Sequence, residues 1–524
     1  AFVWILVIKW RYSIFEKIFL VVCFVYVTYI ISAFLAKPDW ADVARKTVTP
    51  HVEWSGPYVL MVVSLIGTSI TPWQQFYLQA GVRAVLEQSD IRPDAVAGVS
   101  FSAQGCACLP VDGHGRPLGN AMIWTDSRAT PQQARIRQIF GDRLGQVTGN
   151  AIYDQPEPRM LWLRDNEPER YAATHTFHTT LSYLVFRFCG QPAASTSDWG
   201  FHLAFDRAQR AWNQVFLSAV GLDGGKFPPL YESHAVVGHV TREAARDTGL
   251  AAGTPVVAGA QDSVIVALAV AAVDVGQSVV MRGTTEMLCV TTEGGEYHPD
   301  LYTTCAAIPG LFIRYDMKEV VATGGSYRWL AELLFGQASA DQFERMNDLA
   351  AKSPPGSNGL LYLPYLLIST QPDPAEQRAG CYFGLTTTTT QGDLCRAVME
   401  GTAYALRETA ARLAQAGITI QELRLTGGPA ESALWNQITA DVTGLPVLVP
   451  EVSGGAAAYG AALLAGLGVG VIPMNDDYAT LRRMVSLRQR IDPDRTRRAI
   501  YDRYYEGFCR LVAATRGIVA GLTA

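Results

Sequence analysis

Residues Gly253-Thr254-Pro255-Val256-Val257-Ala258-Gly259-Ala260-Gln261-Asp262-Ser263 decide the reading of this chain. The run 255–260 is apolar enough for a buried strand, and 264–272 resumes that character with helical potential. Asp262 stands between them. A carboxylate set between two buried stretches is costly unless it is paired or used. One reading is a helix N-cap, a position that favours Asp. The other is a base aimed from a strand–helix junction into a cleft. The two are compatible.

Downstream, three glycine-bearing turns follow strand-like runs or open helices. Arg282-Gly283-Thr284-Thr285 comes directly after a strand at 278–281. Thr323-Gly324-Gly325-Ser326 precedes a helix at 327–334. Thr426-Gly427-Gly428-Pro429-Ala430-Glu431-Ser432 lies between a strand at 423–426 and a helix running to Asp441. Glycine lets a backbone come close to phosphate, and threonine hydroxyls and amides can donate to its oxygens. A helix N-terminus favours the same anions. Each segment alone also reads as an ordinary turn. Three in one half of a chain point to a nucleotide cradle.

Around these segments the texture is α/β. Helical spacing marks 78–88, 129–140, 158–164 and 393–416, and short buried strands fit 95–100 and 256–258. Asp112-Gly113 predicts a hairpin turn between 108–111 and 116–118. Gly466, Gly468 and Gly470 read as a helix stop. Thr386–Thr390 is the one low-complexity tract, and no solenoid repeat is present.

Composition narrows the function classes. The chain has 524 residues, 49% hydrophobic and 17% charged, so it is too apolar for disorder and too long for one core. With a net charge of −5 it has no basic excess to attract a nucleic acid. Nine cysteines, odd in number and scattered, do not make a disulfide scaffold and suggest a reducing, cytoplasmic compartment. Cys106 and Cys108 are close together, but no second pair or histidine lies at zinc spacing. No GxxxxGK[ST], HExxH or GxSxG motif occurs, which removes the Walker loop, the commonest zinc proteases and the serine esterases.

The first 75 residues differ from the rest. The stretch 18–36 has no charge and is flanked by Lys17 and Lys37, long enough to span a membrane. Buried strands fit it as well and are the favoured reading, so no membrane partner is expected. The balanced basic flanks set no orientation, and no signal-peptide cleavage site follows.

Taken together, several motifs resemble the FGGY family of carbohydrate kinases, within the actin/hexokinase-like ATPase superfamily. Gly380-Cys381-Tyr382-Phe383-Gly384-Leu385, followed after seven residues by Asp393-Leu394-Cys395-Arg396-Ala397-Val398-Met399-Glu400, is similar to the family's C-terminal signature. Val99-Ser100-Phe101-Ser102-Ala103-Gln104-Gly105 and Ile123-Trp124-Thr125-Asp126-Ser127-Arg128-Ala129 look like its sugar region. Gly259-Ala260-Gln261-Asp262 resembles the stretch with the catalytic aspartate, and Thr426-Gly427-Gly428 through Trp435 its adenine side. Order and spacing agree from about Gln79 onward.

The resemblance implies an α/β chain of two ribonuclease-H-like domains flanking a deep cleft. Residues 76–270 would form the N-terminal sugar-binding domain and 271–524 the C-terminal ATP-binding domain, after an atypical apolar segment 1–75. It implies Asp262 as general base, with Gln104, Gly105, Cys106, Asp126 and Ser263 on the sugar. Gly283, Thr284, Thr285, Gly324, Gly325, Gly427, Gly428, Pro429 and Ser432 would hold ATP. Mg²⁺ would accompany the nucleotide, with no ligand assigned, and a homodimer is compatible. Thr148-Gly149-Asn150, Trp162 and Gly190 fall in register with the xylulokinase subgroup. A ketopentose such as xylulose is therefore the expected substrate, with erythritol or another polyol as the alternative.

The sequence also departs from the family. The usual Asp-x-Gly-Thr-Ser-type loop near the start is missing, and in the partial match Ile66-Gly67-Thr68-Ser69 Leu65 takes the aspartate's position. The start looks replaced by unrelated sequence, which keeps a non-catalytic sugar or nucleotide binder open. Gly105-Cys106 stand where xylulokinases carry Met-His, Ser263 where they carry Asn, and Leu367-Ile368-Ser369 where Gly-Glu-Arg is common. Trp124 and Trp162 read as core aromatics. Arg128 reads as a salt-bridge partner or a sugar contact, and His114 as an exposed turn residue.

Overall fold

The computed structural model describes residues 81–518 except 90, 125, 151–154, 317–320, 367–376 and 453. The expectations for 1–75, including the apolar stretch 18–36 and the partial loop 66–69, lie outside the described residues, as do Leu367-Ile368-Ser369. All described residues belong to one compact unit, Val59–Ala524.

Short paired strands organise the first half. β1 (Ser102–Ala103) runs parallel to β2 (Ala260–Gln261), with Ser102 opposite Ala260 and Ala103 opposite Gln261. β2 leads directly into α1 (Asp262–Ala269), buried at every position after Asp262. The run 95–100 does not form the expected strand. Pro93 fixes φ and starts a 3₁₀ turn, Pro93–Ala95, leaving Val99 to make a single bridge to Val256. The Asp112 turn forms as expected: the Asp112 carboxylate accepts the main-chain N–H of His114 and of Arg116, and His114 is exposed. Helices Thr130–Phe140 and Pro156–Asn166 pack through Ile136, Met160 and Leu161 onto a core that includes Phe177, Trp199 and Phe216.

The second half is built on an eight-stranded sheet. β3 (Gln277–Arg282) turns into β4 (Thr285–Thr292), and β5 (Tyr302–Cys305) and β6 (Phe312–Tyr315) extend that antiparallel side. The short strand Val321–Ala322 adds to β4. After α2 (Gly324–Phe335) and α3 (Gln391–Gln415) come β7 (Glu422–Thr426), α4 (Ala433–Thr443), β8 (Val447–Pro450), α5 (Ala456–Gly468) and β9 (Leu487–Ile491). β3 is parallel to β7, β7 is parallel to β8, and β9 closes the edge antiparallel.

β3 reads as a continuous apolar run because both its faces are covered. Val279 joins a cluster containing Val264, Ile265 and Leu464, whereas Val280 joins one containing Leu406, Leu413 and Leu423. α5 meets α1 at very close range. A Cβ on Gly460 would stand 2.2 Å from the carbonyl oxygen of Ile265. Gly466 and Gly468, read as part of a helix stop, lie inside α5. Gly468 is required by packing, since a Cβ there would meet the His234 carbonyl oxygen at 2.5 Å. Gly470, at φ 76°, makes the turn that follows.

Candidate active site

The parallel register sets the centre of the site. Because Ala103 lies opposite Gln261, the next residues, Gln104 and Asp262, leave adjacent strand ends side by side. Gln261 occupies the N-cap position, so Asp262 is the first helical residue rather than the cap. Its Oδ1 accepts the main-chain N–H of Ser263 at 2.7 Å. Asp262 is exposed, with protein packed around its carboxyl. That surrounding protein desolvates the carboxyl and lifts its pKa to about 6, against the lowering effect of the Ser263 N–H. A negative charge in the first turn of α1 also meets the favourable end of the helix dipole.

A second carboxyl senses Asp262. Asp198, at 0% exposure in the short helix Thr196–Trp199, accepts the Thr179 hydroxyl at 2.5 Å. Burial, with a smaller contribution from the Asp262 charge, pushes its pKa to about 7.

Gln104, Gly105 and Cys106, expected on the sugar, follow β1 and are half-buried. Cys106 adopts φ 63°, a left-handed conformation that costs energy for a residue with a Cβ. Arg159, at 2% exposure, holds that region together. It donates to the carbonyls of Cys106 at 3.2 Å, Trp124 at 2.9 Å, Asp126 at 3.2 Å and Gln155 at 3.0 Å. One guanidinium thus ties the Cys106 loop to the Asp126 loop. Sequence reading missed it, although an arginine followed by Met160-Leu161 in a buried helix was the available signal.

The Asp126 carboxylate accepts the Arg128 side chain at 2.8 Å and its main-chain N–H at 3.2 Å. Desolvation opposes ionisation there, but the Arg128 contacts outweigh it and hold the carboxyl below its ordinary range. Arg128 is therefore a salt-bridge partner, and it also lies 4.8 Å over the Trp162 ring. One expectation is corrected. Trp124 is no core aromatic: its carbonyl is held by Arg159, and the residue is 49% exposed. Ser263, expected on the sugar, is the second residue of α1 and fully buried. Its hydroxyl donates to Gln261 Oε1 at 2.7 Å and so braces the strand end.

The three glycine turns converge. The N–H groups of Thr323 and Gly325 donate to the Thr284 carbonyl at 3.1 and 3.0 Å, and that of Gly324 donates to Gly283 O at 2.9 Å. A Cβ on Gly324 would stand 2.4 Å from Gly283 O, and one on Gly427 would stand 1.9 Å from Arg282 O. Gly324, Gly325 and Gly427 are thus glycines because backbones cross there. The amides of Gly324 and Gly325 are engaged within the fold. Gly283 and Gly428 differ. Both are exposed, and a Cβ on Gly428 would have no neighbour within 4 Å. Thr284 and Thr285 are exposed beside them, and Pro429 is half-buried, its Cγ 3.5 Å from a Cβ on Gly324. Ser432 caps α4, accepting the Trp435 N–H at 3.3 Å. Beneath the turns, Arg282 and Glu286 form a buried ion pair at 2.5 Å, and Arg282 also donates to Thr439 Oγ1 at 3.0 Å. α1 packs on β3 through Val264 and Val279, so Asp262 belongs to a helix that lies against the strand ending in the first turn.

Among the described residues no group of three or more His, Cys, Asp or Glu gathers as a metal site. Likewise no described helix is long and apolar enough to cross a membrane.

Comparison with known proteins agrees with this geometry. The model of the N-terminal domain of the FGGY family of carbohydrate kinases matches residues 70–269, and that of the C-terminal domain matches 282–469. A model of natural resistance-associated macrophage protein-like sequences matches residues 1–95, so the apolar start carries a different likeness from the rest. Xylulose kinase of Bacillus subtilis (strain 168) is 29% identical over 401 residues, covering 76% of this chain and 79% of the relative. L-xylulose/3-keto-L-gulonate kinase of Escherichia coli (strain K12) is 29% identical, covering 84% of this chain and 87% of the relative. The crystal structure of xylulose kinase from Rhodospirillum rubrum superposes with a TM-score of 0.74 at 28% identity, covering 85% of this chain and 90% of that one. A ligand-bound xylulose kinase from Lactobacillus acidophilus, at 20% identity and a TM-score of 0.75, shares the fold, with 86% and 90% coverage. The fold is the α/β, two-domain, actin/hexokinase-like arrangement that the motifs implied. With models of both its domains matching in order across the two halves, the chain belongs to the FGGY family of carbohydrate kinases.

Proposed function

We propose that this chain transfers the terminal phosphoryl group of ATP to a hydroxyl of a ketopentose of the xylulose type, with Asp262 as general base. The observation that carries the reading is the placement of Asp262: reachable, hemmed in by protein, and beside Gln104 at the ends of two parallel strands. The substrate class rests on the relatives that phosphorylate xylulose or related keto sugars.

Phosphoryl transfer asks little covalent chemistry of a protein: the hydroxyl must be held in line and the developing charge met by donors. Here the hydroxyl oxygen attacks the γ-phosphorus, the bond to the ADP oxygen breaks, and the hydroxyl proton passes to Asp262. With a pKa near 6, Asp262 is largely ionised at neutral pH and basic enough to accept that proton. The converging turns fit a polyphosphate, since Gly283 and Gly428 leave the open space a Cβ would fill. Mg²⁺ bound with the ATP would supply charge neutralisation on the phosphates, and no described residue is assigned to hold it. Residues 76–270 take the sugar and 271–524 the nucleotide. The eight free cysteines among the described residues suit a reducing, cytoplasmic setting.

The test is ADP release from ATP·Mg²⁺ over a panel of ketopentoses and polyols. Release stimulated most by a ketopentose supports the reading. Stimulation only by a polyol corrects the substrate, and tight ATP binding without release under any sugar refutes the activity.

A further inference from the structure

β5 is the outer strand of the second half's sheet and pairs on one side with β6. Its other edge is met by a side chain from the first half. Asn150 donates through Nδ2 to the Thr303 carbonyl at 3.3 Å and accepts the Thr303 N–H through Oδ1 at 3.2 Å. A carboxamide carries the donor and the acceptor of a peptide group, so Asn150 pairs with Thr303 as a neighbouring strand would. Both residues are 0% exposed, so neither has water to replace a lost partner.

The segment around Asn150 is itself fixed. Arg207, 7% exposed, donates to the Gly149 carbonyl at 2.5 Å and to the Gly295 carbonyl at 3.3 Å. One guanidinium thus ties the residue before Asn150 to the connection between β4 and β5. Gly149 has φ 76°, and a Cβ there would stand 2.5 Å from Arg207 Nη2. Five residues after Asn150, Gln155 takes the N-cap position of the helix Pro156–Asn166. That helix carries Arg159, which gathers the Cys106 and Asp126 loops. In the other direction, β5 connects through β6 and β4 to β3 and the Gly283 turn. Asn150 therefore joins the segment that leads to the sugar-side loops to the sheet that carries the glycine turns.

We propose that Asn150 is a positioning residue for phosphoryl transfer: its two-way pairing with Thr303 fixes the sugar-side loops relative to the glycine turns. This deepens the kinase reading and rests on it. With sugar and nucleotide on separate halves, a loosened junction leaves each ligand bound but moves the hydroxyl out of line with the γ-phosphorus. A misplacement of about 1 Å can cost about 10²-fold in rate. The signature is a fall in kcat with KM little changed.

The experiment measures kcat, and KM for xylulose and for ATP, in the parent, Asn150→Ala, Asn150→Leu, Asn150→Asp and Asn213→Ala, each well below its own melting temperature. Asn150→Asp keeps the shape and the acceptor but sets a carboxylate against the Thr303 carbonyl, so it separates hydrogen bonding from packing. Asn213 is the control for general destabilisation. It is 5% exposed, accepts the Phe216 N–H at 3.0 Å and donates to the Val147 carbonyl at 2.7 Å, both partners lying in the first half. The expected result is a kcat lowered about 10²-fold in the three Asn150 variants, with each KM within about threefold of the parent's. Asn213→Ala should melt lower and keep the parent's kcat. Folded Asn150 variants with the parent's kcat would overturn the inference and leave the kinase reading intact. So would an equal loss of kcat in Asn213→Ala, a rise in KM with kcat retained, or failure of all three Asn150 variants to fold, which would make Asn150 a folding residue only. A parent without sugar-dependent ADP release would overturn the kinase reading and this inference together.

Discussion

Gln261 stands opposite Ala103 across a parallel strand pair. That pairing joins segments far apart in sequence and makes Gln104 and Asp262 the residues that follow two neighbouring strand ends. Parallel strands end at the same edge of a sheet, so the residues that follow them share one side of the fold.

Acid should switch the enzyme off earlier than an ordinary aspartate would. Asp262 works as a base only when ionised, and desolvation lifts its pKa to about 6. As pH falls below that value, kcat/KM for the sugar should drop close to tenfold per pH unit. A pH–rate profile with its acidic limb near the ordinary aspartate value of about 4 would show that a different group limits the reaction.

Two neighbouring glycines should respond in opposite ways. Gly427 has φ 91°, and a Cβ there would meet the Arg282 carbonyl oxygen at 1.9 Å. Gly427→Ala should cost more than about 1 kcal/mol and lower the melting temperature. Gly428→Ala, with no atom within 4 Å of the new carbon, should melt like the parent. It should raise KM for ATP about tenfold if its methyl group enters space that the proposed phosphate site uses, a loss of about 1.4 kcal/mol in binding. Equal ATP kinetics in parent and Gly428→Ala would place the nucleotide elsewhere.

The Arg282–Glu286 pair should be structural. Its side chains are 0% and 3% exposed, and burial raises the Glu286 pKa while Arg282 pulls it down. Removing one partner strands a buried charge, so Arg282→Met should destabilise by about 3–5 kcal/mol. Arg282→Met/Glu286→Leu should recover much of that. Denaturant unfolding of the three proteins checks the ordering.

Asp393 should make stability acid-sensitive. Thr390 and Asp393 form a capping box at the start of α3, and Asp393 also accepts from Ser353 and Asn358. Desolvation opposes ionisation of Asp393, but these hydrogen bonds outweigh it and depress the pKa. The stabilisation is present above the ordinary aspartate pKa and is lost as pH falls through the depressed value. Thr390→Ala should cost about 1 kcal/mol, and Asp393→Asn should remove part of the acid dependence. Unfolding curves at neutral and acidic pH measure both.

Much of this arrangement was legible in the sequence. β3 could be read as doubly buried from its run of Val and Met, and the glycines after β3 and β7 marked strand ends. Their convergence was not legible, because it depends on β3 pairing in parallel with β7 across more than a hundred intervening residues. For the same reason sequence could not divide the glycines into those crossed by another backbone and those left open. Arg159 escaped notice because it acts through the carbonyls of residues distant in sequence. The burial of Ser263 was not legible, because α1 begins at Asp262 and turns the next residue into the core.

The most direct measurement is sugar-dependent ADP release by Asp262→Asn beside the parent, with melting temperature and ATP affinity recorded on the same samples. The account predicts a loss of about 10²–10⁴ in kcat/KM with melting temperature and ATP affinity retained. Turnover by the folded Asp262→Asn protein at the parent's rate would contradict it.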